Sequence, residues 1–434
     1  MRIALVLCVF PPEREPAGVM ASQLARALSA EHEVRVICPQ PNRPDGVLYP
    51  GFERRWHERS QDGPFQVDRV WSWFASTKGP LLGRALEAIS FGLTAAWQVL
   101  AGPRANVVLL ETWPMGGQIP VAAAARLRRI PVVNCVQDLY PEAAIAAGLI
   151  APGSLAARVL RRVDAVVCAS AACNVAVSPR MAAVLAARSP GRVRVAVVRH
   201  WIDTTRVAPS RDGRGWRLTA GLADDDFVCM FAGTMGRASG VEVLADVADA
   251  LRGERGIRLV CIGDGPAKAP LQRECERRGL ENVRFFSFVP AEDVPRVQSA
   301  ADVMLLTVAP GVTVSSVPSK AITYWAMGKP VLASMPADSD IAEIVAGEGL
   351  GEVVAPGDGA ALAAAIRRIR AAGTSQRALI GARARAVAER DYSLARGVSD
   401  YAALFNSIGT NFNRCHPPRR VAAAEIRPDP TTRN

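Results

Sequence analysis

The chain has 434 residues, half of them hydrophobic and 21% charged, the ordinary balance of a soluble enzyme, and its length favours two domains over one. A formal net charge of +11 draws anions of any kind, but basic runs interleaved with aromatics are missing, which sets nucleic acid aside as a partner. The nine cysteines mostly sit inside apolar runs, such as Cys8, Cys38, Cys168, Cys229 and Cys261, and none has C-x-x-C spacing; they read as reduced, buried thiols of a cytoplasmic protein.

Residues 2–10 form a continuous apolar run, suited to a parallel strand covered on both faces. It meets Pro11-Pro12 without the charged region and cleavage site of a signal peptide. A loop, a helix over Ala21–Ser29 and a strand over Glu33–Cys38 follow, the start of a doubly wound α/β domain. Gly18 stands where that loop gives way to the helix; it either lets a ligand approach the backbone or merely permits a tight turn. Residues 39–80 read as a long irregular excursion. Ala88–Ala101 is helical, too short to span a bilayer, and reads as a core helix, with an interfacial helix as the alternative because Phe91 and Trp97 lie near Arg84 and Arg104.

Alternation resumes with a strand over Ala105–Glu111, a helix over Gly117–Arg128 and a strand over Pro131–Val136. Ligands of open α/β sheets bind beyond the carboxyl ends of strands, so Asp138 and Glu142 are placed for chemistry, as a hydrogen-bonding carboxylate or a base; Asp138 could equally cap the next turn. Strands are expected over Ala165–Ser170 and Arg194–Val198. His200 has no partner cluster and reads as structural, and the segment onward to Arg217 reads as an interdomain linker.

The second half repeats the pattern: strand 227–233, helix 241–251, strand 257–262, helix 267–278, strand 283–286, helix 292–299 and strand 302–307. Two Gly-bearing turns, at Gly233 to Gly236 and at Gly263 to Gly265, fall at the carboxyl ends of adjacent strands. Next comes VSSVPSKAITYWAMGKPVLAS, a loop, a helix over Ser319–Met327 closed by Gly328, and a strand. Ser315, Ser316, Ser319 and Lys320 gather at the amino end of that helix. Free N–H groups, hydroxyls and an ammonium there would suit a phosphate or a nucleotide diphosphate. A strand over 353–356 and helices over 359–372, 375–390 and 393–407 follow; residues 409–434 have no periodicity and read as a disordered tail. Asp338-Ser339-Asp340 has a D-x-D spacing, yet a helix start explains it better than a metal. Asp224-Asp225-Asp226 reads as a solvated turn.

Several stretches in order, FPPEREPAG, VQDLYPEAA, VRHWIDTTRVAP, FAGTMGRASGVEVL, CIGDGP, PSKAITYWAMGKPVLAS and GEGLGEVVAPGD, resemble the retaining glycosyltransferases of family 4, close to the colanic-acid and O-antigen aminosugar branch. The resemblance implies the GT-B architecture, two Rossmann-like doubly wound parallel-sheet domains facing across a cleft. It implies an acceptor domain over 1–203, a nucleotide-sugar domain over 204–389 and a helix over 390–408 returning to the first domain. The donor would be a nucleotide sugar, usually a uridine diphosphate sugar, with no metal. A hexosyl or N-acetylaminosugar residue would pass, with retention, to a lipid-linked or small-molecule acceptor in polysaccharide or glycolipid synthesis.

By position, the donor would meet Gly18, Gly233, Arg237, Gly263, Gly265, Ser315, Ser316, Ser319, Lys320 and Thr323. Asp138 and Glu142 would face the acceptor, and Asp138 and Lys320 would serve catalysis. Many members carry glutamates where Ser315 and Thr323 stand, and an Arg and a Lys where Thr234 and Ser239 stand, which would load the diphosphate more heavily onto Lys320. A nucleotide-sugar epimerase of the same fold and a non-catalytic membrane-surface protein are the competing readings. The basic charge further suits peripheral contact with anionic lipid at the inner face of the plasma membrane.

Overall fold

A computed structural model describes residues 1–411, apart from 14, 77, 78, 80, 112–115, 147, 189–192, 211 and 312–317. The amino-terminal half runs β1 (Arg2–Val6), α1 (Pro16–Leu28), β2 (Glu33–Pro39), β3 (His57–Asp62), β4 (Phe65–Val70), α2 (Leu81–Ala101), β5 (Val107–Glu111), α3 (Gln118–Leu127) and β6 (Val132–Val136). It continues with α4 (Glu142–Ala146), α5 (Leu155–Ser170), β7 (Cys173–Ala176), α6 (Pro179–Arg188) and β8 (Val195–Val197). These strands form one eight-stranded sheet in the order β3-β4-β2-β1-β5-β6-β7-β8, in which only the β3–β4 pair is antiparallel.

The second half runs α7 (Gly213–Thr219), β9 (Phe227–Ala232), α8 (Val243–Ala250), β10 (Ile257–Ile262), α9 (Lys268–Arg277), β11 (Val283–Phe286), α10 (Val294–Ser299), β12 (Val303–Thr307), α11 (Ser319–Ala326) and β13 (Val331–Ser334). It ends with α12 (Asp340–Gly347), β14 (Gly351–Val354), α13 (Gly359–Ala371), α14 (Gly373–Asp391) and α15 (Leu394–Asn411). The second sheet is wholly parallel, ordered β11-β10-β9-β12-β13-β14. Both sheets are doubly wound, as expected: strand order reverses between β1 and β5 in one and between β9 and β12 in the other, and the crevices beyond those carboxyl ends are where such sheets bind ligands.

Three sequence expectations are corrected. The apolar run 165–170 is the end of helix α5, and the strand follows it at 173–176; a short apolar run does not by itself distinguish strand from buried helix. Ser154 starts that helix, its Oγ accepting from the N–H of Ala157. The excursion 39–80 contains the β3–β4 hairpin, whose polar HERSQD strand hid it, although Asp62-Gly63 with Gly63 at φ +58° is the turn the hairpin needs. The linker segment contains α7, whose Trp216 packs edge-on against Phe286.

The chain crosses between halves twice, and the crossings run together: the N–H of Ile202 donates to Tyr392 O at 2.8 Å and that of Leu394 to Ile202 O at 3.0 Å. Arg385 ties this junction to the second half by donating to the carbonyls of Thr204, Val207 and Ala326. Beyond it, α15 lays Tyr401, Leu404, Phe405 and Ile408 into the core of the first half, with Ile3, Leu5 and Leu24. Gly397 permits the approach, since a Cβ there would lie 2.3 Å from the Trp201 ring. The helix reaches Asn411, past the 409 at which a tail was expected to start; residues 412–434 lie outside the described residues.

Eight of the nine cysteines are buried, unpaired thiols, and no described helix is long and apolar enough to cross a membrane. Phe405 is fully buried, so Phe405→Ala is expected to destabilise the first half by about 3–5 kcal/mol, read as a lowered urea midpoint in circular dichroism. A loss below about 1 kcal/mol would mean that α15 contributes little to that core.

Candidate functional site

The second half builds its site at the β9/β12 reversal. Tyr324, fully buried on α11, donates its hydroxyl to Ala232 O at 2.8 Å and accepts from the Ala232 N–H at 3.0 Å. This reciprocal pair pins the helix to the last residue of β9, and Trp325 packs at a tilt against Tyr392 behind it. The amino end of α11 is thereby held over the turn that follows β9. Its capping position is Pro318, whose side chain makes no cap hydrogen bond; the Ala321 N–H donates to Pro318 O at 3.0 Å, and those of Ser319 and Lys320 have no acceptor among the described residues.

Lys320 reaches from that end back over the turn. Its Nζ sits 4.3 Å from the centre of the Phe231 ring and 3.5 Å from Thr234 O, and a side chain at Gly233 would meet Lys320 Cε at 3.2 Å. Burial pushes this ammonium down to about 8. Lys329 is depressed equally by burial, but its Nζ donates to two carbonyls, Ser299 O at 2.9 Å and Ala301 O at 2.6 Å. Lys320 has one long carbonyl contact and no ion pair among the described residues. A desolvated ammonium in that position is stabilised by an anion supplied from outside.

The two glycine turns are packed on each other. A Cβ at Gly263 would fall 2.0 Å from Gly233 O, and one at Gly265 would fall 2.5 Å from Met235 O. The N–H of Met235 donates to Asp264 O at 2.9 Å. Glycine at 263 and 265 is therefore required by turn-on-turn contact. Asp264 is held by Lys268 Nζ at 2.7 Å and by the Phe288 N–H at 3.1 Å.

The first half offers a second cluster at its own reversal. Glu111 ends β5 and is buried, and Cys8 Sγ, just after β1, lies 3.5 Å from its Oε2. Gln137 donates to Glu111 Oε1 at 3.4 Å, and its Oε1 lies 2.6 Å from His200 Nε2. Burial holds the Glu111 carboxyl above its usual range and pushes His200 down to about 4. The histidine is thus neutral near pH 7 and donates to Gln137. Asp138 follows Gln137 directly, half-buried.

The two clusters belong to facing edges. Arg180, just beyond the carboxyl end of β7, donates its N–H to Asp340 Oδ1 at 3.4 Å and pairs with Glu343, both just beyond β13. The guanidinium of Arg199, after β8, lies over the Tyr392 ring at 5.8 Å. The carboxyl edges of both sheets therefore look at each other across a cleft.

Families of known proteins match both halves. Residues 17–201 match the family described as "Glycosyl transferase 4-like domain", and residues 226–371 match "Glycosyl transferases group 1". The chain is a glycosyltransferase.

The probable glycosyltransferase WbjE of Pseudomonas aeruginosa is 26% identical over 334 residues, covering 77% of this chain and 82% of the relative. The putative colanic acid biosynthesis glycosyl transferase WcaI of Escherichia coli K12 is 25% identical over 383 residues, covering 85% and 92%. Among solved structures, sucrose-phosphate synthase of Thermosynechococcus elongatus superposes with a TM-score of 0.70 at 18% identity, over 94% of this chain and 99% of that one. HepE of Anabaena, solved in complex with UDP-glucose, gives 0.67 at 18% identity, over 94% and 100%. The glycosyltransferase has the GT-B fold.

Of the predicted site residues, the structure brings together Gly233, Gly263, Gly265 and Lys320, with Ser319 exposed and Thr323 half-buried on the same helix. Arg237 is exposed on the short helical turn after Gly236. Ser315 and Ser316 lie outside the described residues. Gly18 sits in the first turn of α1, packed closely on the loop after β1, where a Cβ would meet Val9 Cγ1 at 3.0 Å. Glu142 gives one oxygen to Arg161 and the other to Arg188. Asp338-Ser339-Asp340 is a helix start whose cap is Ser339, accepting from Ala342 N–H at 3.3 Å.

The sequence reading left His200 without a partner, and it has one in Gln137. It also passed over Glu111 and Tyr324. Glu111 was legible as a carboxylate closing an otherwise apolar strand; Tyr324 looked like any core aromatic.

The chain has only four lysines, Lys78, Lys268, Lys320 and Lys329, so their side-chain resonances can be followed individually. A lysine-labelled NMR titration is expected to show the Lys320 signal moving with a midpoint near 8, and that signal vanishing in Lys320→Arg. A midpoint above about 10, the ordinary lysine value, would show that the ammonium is solvated.

Proposed function

We propose that the enzyme takes its sugar from a uridine diphosphate sugar and transfers it, with retention, to an acceptor in bacterial polysaccharide or glycolipid synthesis. The observation that carries this reading is the half-buried Lys320 ammonium at the start of α11, without a carboxylate partner among the described residues. The relatives named for polysaccharide synthesis and the neighbour solved with UDP-glucose support it. In this reading the donor lobe spans 204–389 and the acceptor lobe 1–203, completed by the helix over 390–408.

Departure of the diphosphate leaves positive charge on the anomeric carbon and negative charge on the leaving oxygen. The Lys320 ammonium and the N–H groups of Ser319 and Lys320 meet that negative charge from fixed positions, so little reorganisation accompanies bond breaking. Arg237 adds a second cation at the exposed turn, and Thr323 faces the nucleotide. On the acceptor side Asp138 receives the hydroxyl and shields the developing cation. Glu111, Gln137 and neutral His200 fix the strand end from which Asp138 projects.

Losing a charged hydrogen bond costs about 1.5–3 kcal/mol, so Lys320→Ala is expected to lower kcat/KM roughly ten- to a hundredfold. Unchanged turnover would remove the phosphate role. The pH dependence follows in sign. The free enzyme loses the Lys320 proton as pH rises through about 8, while the bound diphosphate favours the charged form. Affinity for uridine diphosphate therefore falls as pH rises through about 8, and calorimetric titration of Lys320→Ala should show no such fall.

A further inference from the structure

The helices α2, α3 and α5 lie side by side over one face of the amino-terminal sheet, and the outer side of this layer has an unusual composition. On α2, Leu82, Leu86, Ile89, Leu93, Trp97 and Leu100 recur every three or four residues and are 38% to 71% exposed, one above another along a single stripe. The opposite side of the same helix, with Phe91, Ala95, Ala96 and Val99, is buried in the sheet core. An apolar inner face is what a surface helix requires; an apolar outer face as well asks for a second cover.

The neighbouring helices extend the patch. Ile119 and Leu127 are exposed on α3, and Leu155, Val159 and Val166 on α5, so more than half of the exposed large apolar side chains among the described residues fall on these three helices.

Charge selects the cover. The only acidic residues of α2, α3 and α5 are Glu87 and Asp164, and both are buried against arginines, Arg43 and Arg188 respectively. The cations point the other way: Arg126, Arg158 and Arg162 are exposed, and Arg161 is exposed with Glu142 beside it. The outer face thus offers apolar side chains and guanidinium groups, with no outward carboxylate on these helices. A second copy of this chain docked there by symmetry would set arginines against arginines. A surface with a hydrocarbon interior and anionic headgroups matches both components.

We propose that the outer face of α2, α3 and α5 seats the enzyme on an anionic lipid bilayer, with α2 lying flat in the interface. Trp97 and the leucines of α2 enter the acyl boundary, and the arginines of α3 and α5 meet headgroup phosphates. The first half of α2 lies against the carboxyl edge of the sheet, through Glu87 and Arg43 of the loop after β2, so an acceptor resting in the bilayer would stand beside the cleft. The surface lies outside the cleft, and the proposal does not depend on which donor the enzyme uses.

The test is co-sedimentation of the full chain with vesicles of phosphatidylcholine alone or mixed with phosphatidylglycerol. The expected result is binding to the mixed vesicles, weakened by high salt and far weaker on phosphatidylcholine alone. Leu93→Gln combined with Trp97→Gln should lower partitioning at least about tenfold, and Arg158→Gln combined with Arg162→Gln should remove the preference for phosphatidylglycerol. Leu218→Gln, at an apolar residue exposed on the second half, should bind as the parent does. Circular dichroism melting checks that each variant is folded. Three results would overturn the proposal: no binding of the parent chain to either vesicle, equal binding by the Leu93/Trp97 variant, or a parent dimer that this variant makes monomeric without any vesicle binding.

Discussion

One half-buried ammonium sets the terms for the carboxyl-terminal half. Lys320 is partly shielded from water by the Phe231 ring and the Gly233 turn, in an environment that disfavours its charge. Most of the local architecture keeps it there. The Tyr324 bridge to Ala232 fixes the height of α11 above the sheet. The stacked turns leave the lysine no route to a neighbouring carboxylate, because Asp264 is committed to Lys268 and Phe288. The loop preceding the helix, residues 312–317, contains no acidic residue. An unsatisfied charge of this kind is a cost to the empty protein and an affinity for an anion, since the same desolvation strengthens the field that a ligand would feel.

The amino-terminal half uses the same plan with the opposite electrical sense. At its strand reversal the buried group is a carboxyl, Glu111, and burial works to keep it protonated. Its neighbours Cys8, Gln137 and a neutral His200 carry no charge near pH 7. The facing edges therefore present a cation on one side and, on the other, a buried hydrogen-bonded network of Glu111, Gln137 and His200 with Arg43 close to it. For a donor that separates into an anionic leaving group and a sugar, the electrostatic stabilisation belongs on the leaving-group side and geometric positioning on the other.

How much of this was legible depended on what kind of fact it was. Continuous apolar strands such as Ile3–Val6 and Phe231's strand declared a parallel sheet, because a strand covered on both faces has no polar alternation. Lys320 was legible because helix start, hydroxyls and cation are contiguous in sequence. Features that depend on long-range packing were not. The need for glycine at 263 comes from Gly233, thirty residues away in the chain yet in contact through space. His200 meets Gln137 only after the strands between them have paired. The helix over 155–170 was mistaken in part for a strand because a run such as AVVCAS satisfies either period.

The same limit explains α2. From sequence, a helix apolar on every side is a core helix, since burial is the usual reason for such a pattern. The fold shows that only half of that pattern is used, because the sheet offers the helix one face and α3 covers a flank, leaving Leu86, Leu93 and Trp97 outward. Stability of the monomer does not call for six large apolar residues at exposed positions, where polar side chains would leave the inner packing unchanged. Their placement in register with one another, on a layer whose acidic residues have all been turned inward, is a property of the surface, and it is the surface that has to account for it.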